Sequence, residues 1–384
     1  MTNALSSGQI LANTRALAPR IAARSAEIAQ LRRLPRDLVD ELKAAGCFRV
    51  MFPKAWGGPE MPLPMQLAMI ETLAYADTSV AWCVKIGSDS GIFAAWLPER
   101  GARELYTDLD CVTAGQAPPN GRAVKVEGGY RVTGRWSFGS GCTHADVMLG
   151  GCVVESAPPG PVPQVIHVLA PAREWRIEDT WFSTGLAGSG SHHYSVQDAF
   201  VPEAHVLNLF APSGRDEPLY RLPMTASVSV PMAGTPLGLA RRAIDELIAL
   251  AGQKIVAIPP PPVLIKSLPR VRLAVAKAES LYGAARAYVH ETVSRLWSEA
   301  EQGSASMQAR RDVGLARIHA HRMAAEVAEM MFDAAGPAAV YASSPLDRLL
   351  RDAMTIKQHL LFNDGVLEEL GAMALGDDVP SRFV

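Results

Sequence analysis

Nine histidines are spread over this 384-residue chain, and an imidazole with its ordinary pKa can exchange a proton near neutral pH. One of them, His359, sits in "RDAMTIKQHLLFNDGVLEELG", Arg351 to Gly371, which reads as one helical run with mostly apolar residues around the histidine. Such a histidine is ordinarily a satisfied core residue, and the alternative is a proton donor or acceptor placed in an apolar pocket. Ser140 stands in "SFGSG", by default a turn, where a hydroxyl could also hold a ligand. His144 follows at the start of a strand and reads as a structural residue of the β domain, capping a turn, rather than as a second site residue. His192 and His193 alternate faces on a strand with no third ligand at metal spacing, so no metal site is expected. Arg348 and Arg351 with Asp347 and Asp352 read as an interhelical ion-pair cluster rather than as phosphate ligands.

These residues need a fold to bring them together. At 48% hydrophobic content the chain can bury a large core in two or three domains. A formal net charge of -2, without runs of one sign, gives no electrostatic footprint for nucleic acid or an acidic membrane surface, which favours a small or apolar ligand. Five cysteines without a CxxC pair fit reduced thiols and a cytoplasmic location. No signal peptide is evident, and no apolar run reaches the roughly 18 residues of a membrane span.

Periodicity orders the chain into helices, then strands, then helices. "LSSGQILANTRALAPRIAARSAEIAQL" and "LPRDLVDELKAAG" carry apolar residues every three or four positions, and helical signals continue to "PERGARELY". From Cys111 the character changes to alternation and β-branched residues, with a Gly-Gly turn in "AVKVEGGYRVTGRWSFGSG". Beyond "APSGRDEPLYRLP" come four long helical patterns, Val228–Ala251, Leu264–Trp297, Ser306–Ala335 and Pro345–Leu375. The expected organisation is a helical domain over 1–110, a β-barrel domain over 111–212 and a four-helix bundle over 213–384, an α+β and mainly helical fold.

Four strings in that order resemble the acyl-CoA dehydrogenase superfamily: "LPRDLVDELKAAGCFRVMFPKAWGG", "GGYRVTGRWSFGSGCTHAD", "GLAGSGSHHYSVQDAFVPEAHV" and "SSPLDRLLRDAMTIKQH". Within it the chain is most similar to the oxygenase components of two-component flavin-dependent monooxygenases. "RWSFGSGCTHAD" looks like their "W…SG…HA" pattern, and His359 falls where their histidine does. The glutamate base of the dehydrogenases is missing. Its usual place after the "RD" pair is held by Leu360, and "LYRLPMTASVSV", the place used by a second class, has no carboxylate.

The resemblance implies a reduced flavin, FADH2 or FMNH2, reacting with O2 to a C4a-(hydro)peroxide that inserts one oxygen atom into an aromatic or heteroaromatic small molecule. It assigns His359 to proton donation or acceptance near pH 7, Ser140 to the flavin N5 and O4 edge, and Phe138, on the same strand face as Ser140, to packing on the isoalloxazine. Gly336 lies in "AAGPAAVYASSPL", similar to the stretch that reaches a neighbour's flavin in a homotetramer. No GxGxxG opens a helix after a strand, so reduced flavin is expected from a separate reductase. Ser88, Asp89 and Ser90 occupy the region where several of these monooxygenases carry a second histidine. The alternative reading is an acyl-CoA dehydrogenase or oxidase with an unusual base.

Overall fold

The computed structural model of the chain describes residues 5–155, 163–257, 260–377 and 379. Seven helices open it: α1 Ser7–Ala23, α2 Ser25–Leu31, α3 Arg36–Ala44, α4 Leu63–Ala76, α5 Thr78–Gly87, α6 Ser90–Trp96 and α7 Glu99–Leu105. Local chemistry sets their ends. Ser6 and Gln9 form a reciprocal capping box at the start of α1. The Asp77 carboxylate accepts from the Val80 N–H at 3.1 Å and starts α5. Helix α5 is buried on nearly all sides, and it carries the first part of the site.

Seven strands follow: β1 Thr113–Val126, β2 Gly129–Gly139, β3 Val147–Val154, β4 Val165–Pro171, β5 Arg176–Glu178, β6 His192–Pro202 and β7 Val206–Leu207. They form one sheet in the order β5-β6-β2-β1-β3-β4-β7. The β1–β2 hairpin turns at Glu127-Gly128, with Val126 paired to Gly129, as the Gly-Gly signal predicts. β4 and β6 approach each other although three strands separate them in the sheet, so it curls round its own core. At the centre Trp136 stacks on Tyr194, centroids 5.6 Å apart, with Trp175 edge-on to both. Two of the three polar tips are satisfied inside: Trp136 Nε1–H donates to the Gly151 carbonyl and the Tyr194 hydroxyl to the Leu149 carbonyl.

The remaining helices are α8 Pro218–Arg221, α9 Met224–Ser229, α10 Gly234–Ala251, α11 Pro269–Glu301, α12 Met307–Ala335, α13 Pro345–Ile356 and α14 Asp364–Leu375. The expected fourth bundle helix is therefore two helices. Two side-chain caps break it: His359 Nδ1 accepts from the Leu361 N–H and Asn363 Oδ1 from the Val366 N–H, and such bonds compete with the helical ladder. His359 is not on a helix but at the head of a short 3₁₀ turn, Leu360–Phe362. The apolar faces of the N-terminal helices and of the bundle merge into one continuous core, while the sheet keeps a separate one.

Candidate active site

Three parts of the fold meet around Trp82, on α5. Its Nε1–H donates to Ser140 Oγ at 3.0 Å, and its ring stands edge-on to the His359 imidazole with centroids 5.3 Å apart. Sequence reasoning left Trp82 out of the site, although the "AW" pair was there to be read. Ser140, 8% exposed, lies just past the end of β2, where its N–H closes back on the Phe138 carbonyl.

From Ser140 runs a line of hydroxyls. Ser140 Oγ lies 2.8 Å from Ser191 Oγ, which lies 2.7 Å from Ser189 Oγ, and Ser189 donates to the Leu186 carbonyl at 2.7 Å. A hydroxyl has one proton and two lone pairs, so the direction of the line is fixed. Ser189 spends its proton on Leu186, hence Ser191 donates to Ser189 and Ser140 donates to Ser191, while Ser140 accepts from Trp82. One lone pair of Ser140 remains. It can accept from a ligand, and it has no proton to give. Leu186 is itself anchored: its N–H donates to the buried Asp352 carboxylate at 2.7 Å, and its carbonyl also accepts from Trp181 Nε1–H.

His359 is fixed in the same way. The Leu361 N–H occupies its Nδ1 at 3.3 Å, which places the ring proton on Nε2. Phe362 lies against the ring at 5.2 Å and stacks on the buried His321 at 3.5 Å. Burial, with the charges of Arg317 and Lys85 adding to it, pushes the His359 pKa down to about 4. This corrects the expectation of a group exchanging protons near pH 7. The imidazole is neutral there and carries its one proton on Nε2.

Phe138 departs from the expected arrangement. It has a left-handed backbone (φ 59°) inside an irregularity of the β2–β6 pairing, so it does not share a strand face with Ser140. The ring is 59% exposed and edge-on to Trp181. Gly336 is not brought to this cluster within one chain. It closes α12, fifteen residues beyond His321 and hence about 22 Å along the helix, beside Arg270.

The other histidines are structural in their contacts. His144 is buried near Phe48, and neither ring nitrogen has a partner among the described residues, so it caps no turn. His192 Nδ1 accepts from the N–H groups of Thr180 and Trp181. The Arg351–Asp347 pair is within α13, not between helices, and Arg351 reaches the Thr184 carbonyl.

Leu360 stands at the position that the dehydrogenase sequence pattern gives to its base. Asp352 is buried and engaged by Leu186, with its pKa raised by burial to about 7, and the largely exposed Asp364 pairs with Arg322. The residues present do fit a reduced flavin: an acceptor at Ser140, an aromatic face at Phe138 and Trp181, and a neutral donor at His359. The fold and site thus define a flavin enzyme of acyl-CoA dehydrogenase architecture without a dehydrogenase base.

Comparison with known proteins agrees. Residues 9–102 match the acyl-CoA dehydrogenase N-terminal domain and residues 231–364 the acyl-CoA dehydrogenase C-terminal domain. The chain is 33% identical to indole-3-acetate monooxygenase of Pseudomonas putida over 92% of its length and 90% of that protein's. It is 28% identical to the flavin-dependent monooxygenase oxygenase subunit HsaA of Rhodococcus jostii, over 90% and 92%. The structure of XiaF from Streptomyces sp. in complex with FADH2 and glycerol superposes with a TM-score of 0.90 at 26% identity, covering 98% of this chain and 97% of that one. The chain belongs to the flavin-dependent monooxygenases built on the acyl-CoA dehydrogenase fold. It is an oxidoreductase whose cofactor is flavin. Among the described residues no helix is long and apolar enough to cross a membrane.

Proposed function

We propose that the protein oxygenates an aromatic or heteroaromatic small molecule, using reduced flavin delivered by a separate reductase, with His359 and Ser140 at the reacting centre. Reduced flavin supplies the electrons that activate O2 for transfer of one oxygen atom, the other leaving as water. The protein's share is positioning and dryness. Ser140, with its proton committed to Ser191, offers an acceptor to the flavin N5–H. His359, locked as the Nε2–H tautomer, offers a hydrogen bond across the pocket from it, and Trp82 keeps the two at a fixed separation. Phe138 gives the isoalloxazine an aromatic neighbour.

The observation that carries the reading is the pair of fixed hydrogen-bonding directions at Ser140 and His359. Relatives named for indole-3-acetate and for resorcinol support the aromatic substrate class. Five buried free cysteines fit the cytoplasm. Division at residues 110 and 212 follows the helix–sheet–helix order. A homotetramer is supported by the exposed Val340 and Tyr341 in the connection after Gly336, large apolar groups that a neighbour would cover; sedimentation as a monomer at micromolar concentration would contradict it.

The test is His359→Ala, assayed for product and hydrogen peroxide per reduced flavin consumed. The variant is expected to fold and to bind flavin, with product reduced about 10²-fold or more and peroxide released instead. Unchanged coupling with a lowered melting temperature would make His359 structural.

A further inference from the structure

Lys85 on α5 and Asp89 just beyond the helix form a buried ion pair that the proposed chemistry does not use. Lys85 is one turn beyond Trp82, so it lies on the same helix face. It is 0% exposed, and its Nζ lies 2.6 and 2.7 Å from the two Asp89 oxygens. The flanking hydroxyls turn elsewhere: Ser88 Oγ donates to the Lys85 carbonyl, and Ser90 Oγ to the Gly87 carbonyl, with Thr113 and Tyr106 behind it. An ammonium has three N–H donors. Two go to Asp89, and the third meets no acceptor among the described residues, in a place bulk water does not reach. A buried donor in that condition is costly unless something else receives it.

The surroundings say what that something is. Lys85 and Arg317 both act on the His359 ring through their charge, and both are cations. Arg317 is itself buried, bonded to Ser229 Oγ, with its guanidinium 5.9 Å from the Phe362 ring that touches His359. Both Asp89 oxygens are engaged by Lys85, and the carboxylate's charge also acts on Tyr106. Two cations thus border the His359 ring, one of them with an N–H still to place, and cations in a water-poor site favour an anionic ligand group.

We propose that Lys85, held in place by Asp89, anchors the aromatic substrate through a carboxylate side chain, so that the substrate is an aromatic acid rather than a neutral ring. This rests on the monooxygenase reading above and adds the substrate's charge to it. Asp89 is the positioning residue, and Lys85 is the one that meets substrate. A region where related enzymes are expected to carry a histidine thus holds a cation that selects a charged substituent.

Binding of indole-3-acetate and of its neutral analogue indole-3-acetamide to the full-length protein, measured by calorimetry, tests this. The wild type is expected to bind the acid at least about tenfold more tightly than the amide. The double variant Lys85→Met with Asp89→Asn, which leaves no unpaired buried charge, is expected to bring the acid down to the affinity of the amide. Lys85→Arg is expected to keep a preference for the acid, and it serves should the double variant fail to fold. No preference in the wild type, or a preference that survives in the double variant, overturns the anchor. Equal oxygenation of acid and amide removes the anchor and leaves the monooxygenase reading standing. Failure to oxygenate any aromatic while reduced flavin is consumed removes both.

Discussion

His359 should titrate near pH 4, not near 6.5, because burial and two cations oppose its charged form. Nitrogen NMR of the labelled protein, with the His359 signals assigned by their loss in His359→Ala, checks this: the His359 imidazole is expected to stay in the neutral Nε2–H form from pH 8 down to about 5. A ring that gains charge between pH 7 and 6 would contradict the donor role. Trp82→Phe keeps the edge-on ring but removes the N–H that Ser140 accepts. It is expected to lower coupling and reduced-flavin affinity with little change in melting temperature, whereas Ser140→Ala should lose the flavin contact and break the hydroxyl line together. Sequence alone marked His359 and Ser140 because their register in the "RD…H" and "SGC" strings was visible. It could not show the tautomer or the hydroxyl direction, which depend on Leu361, Ser189 and Ser191 meeting them in space. Nor could it show that Lys85 and Asp89 are buried, since an i,i+4 Lys–Asp pair is ordinarily a solvated helix face.

At the scale of elements, the break between α13 and α14 matters most, because it turns the His359 ring toward Trp82. Asn363→Ala removes the α14 cap and is expected to cost about 1 kcal/mol of stability, read by denaturant unfolding. If the break depends on that cap, coupling should fall as well. Gly185→Ala is a harsher change: a Cβ there would sit 2.1 Å from the Arg351 carbonyl, so the loop could not stay docked on α13. Loss of the Leu186–Asp352 bond would loosen the hydroxyl line, and flavin affinity is expected to drop with stability. The β1–β2 hairpin and most helices were legible because Gly, Pro and periodicity mark them. The broken helix was not, because "KQHLLFND" contains neither Gly nor Pro and its caps act through side chains. Phe138 was misplaced for a related reason: strict alternation fails at a left-handed residue in an irregular pairing.

Across the whole molecule, five histidines are held neutral by burial: His144, His167 and His359 near 4, His321 near 3, and His192 lowered. The unfolded chain takes up protons on them below about pH 6.5, and the folded one takes them up only at lower pH, near 4 for His144, His167 and His359. Their contribution is complete above 6.5 and is lost as pH falls. Asp77, Asp89 and Asp352, raised by burial, act in the opposite sense, contributing at low pH and losing their contribution as pH rises toward 7. The histidines outnumber them, so the melting temperature is expected to fall from pH 6.5 to 4; a constant value would contradict the burial. The helix–sheet–helix order was readable from composition changes alone, while the single core shared by the two helical parts was not, because it depends on how they dock. The most direct test of the account uses the full-length protein, chemically reduced flavin, an aromatic substrate such as indole-3-acetate and ¹⁸O2, with no reductase present. One ¹⁸O atom per product molecule is expected, with no need for any acyl thioester. Product without ¹⁸O, or bleaching of oxidised flavin by an acyl-CoA in place of oxygenation, would contradict it.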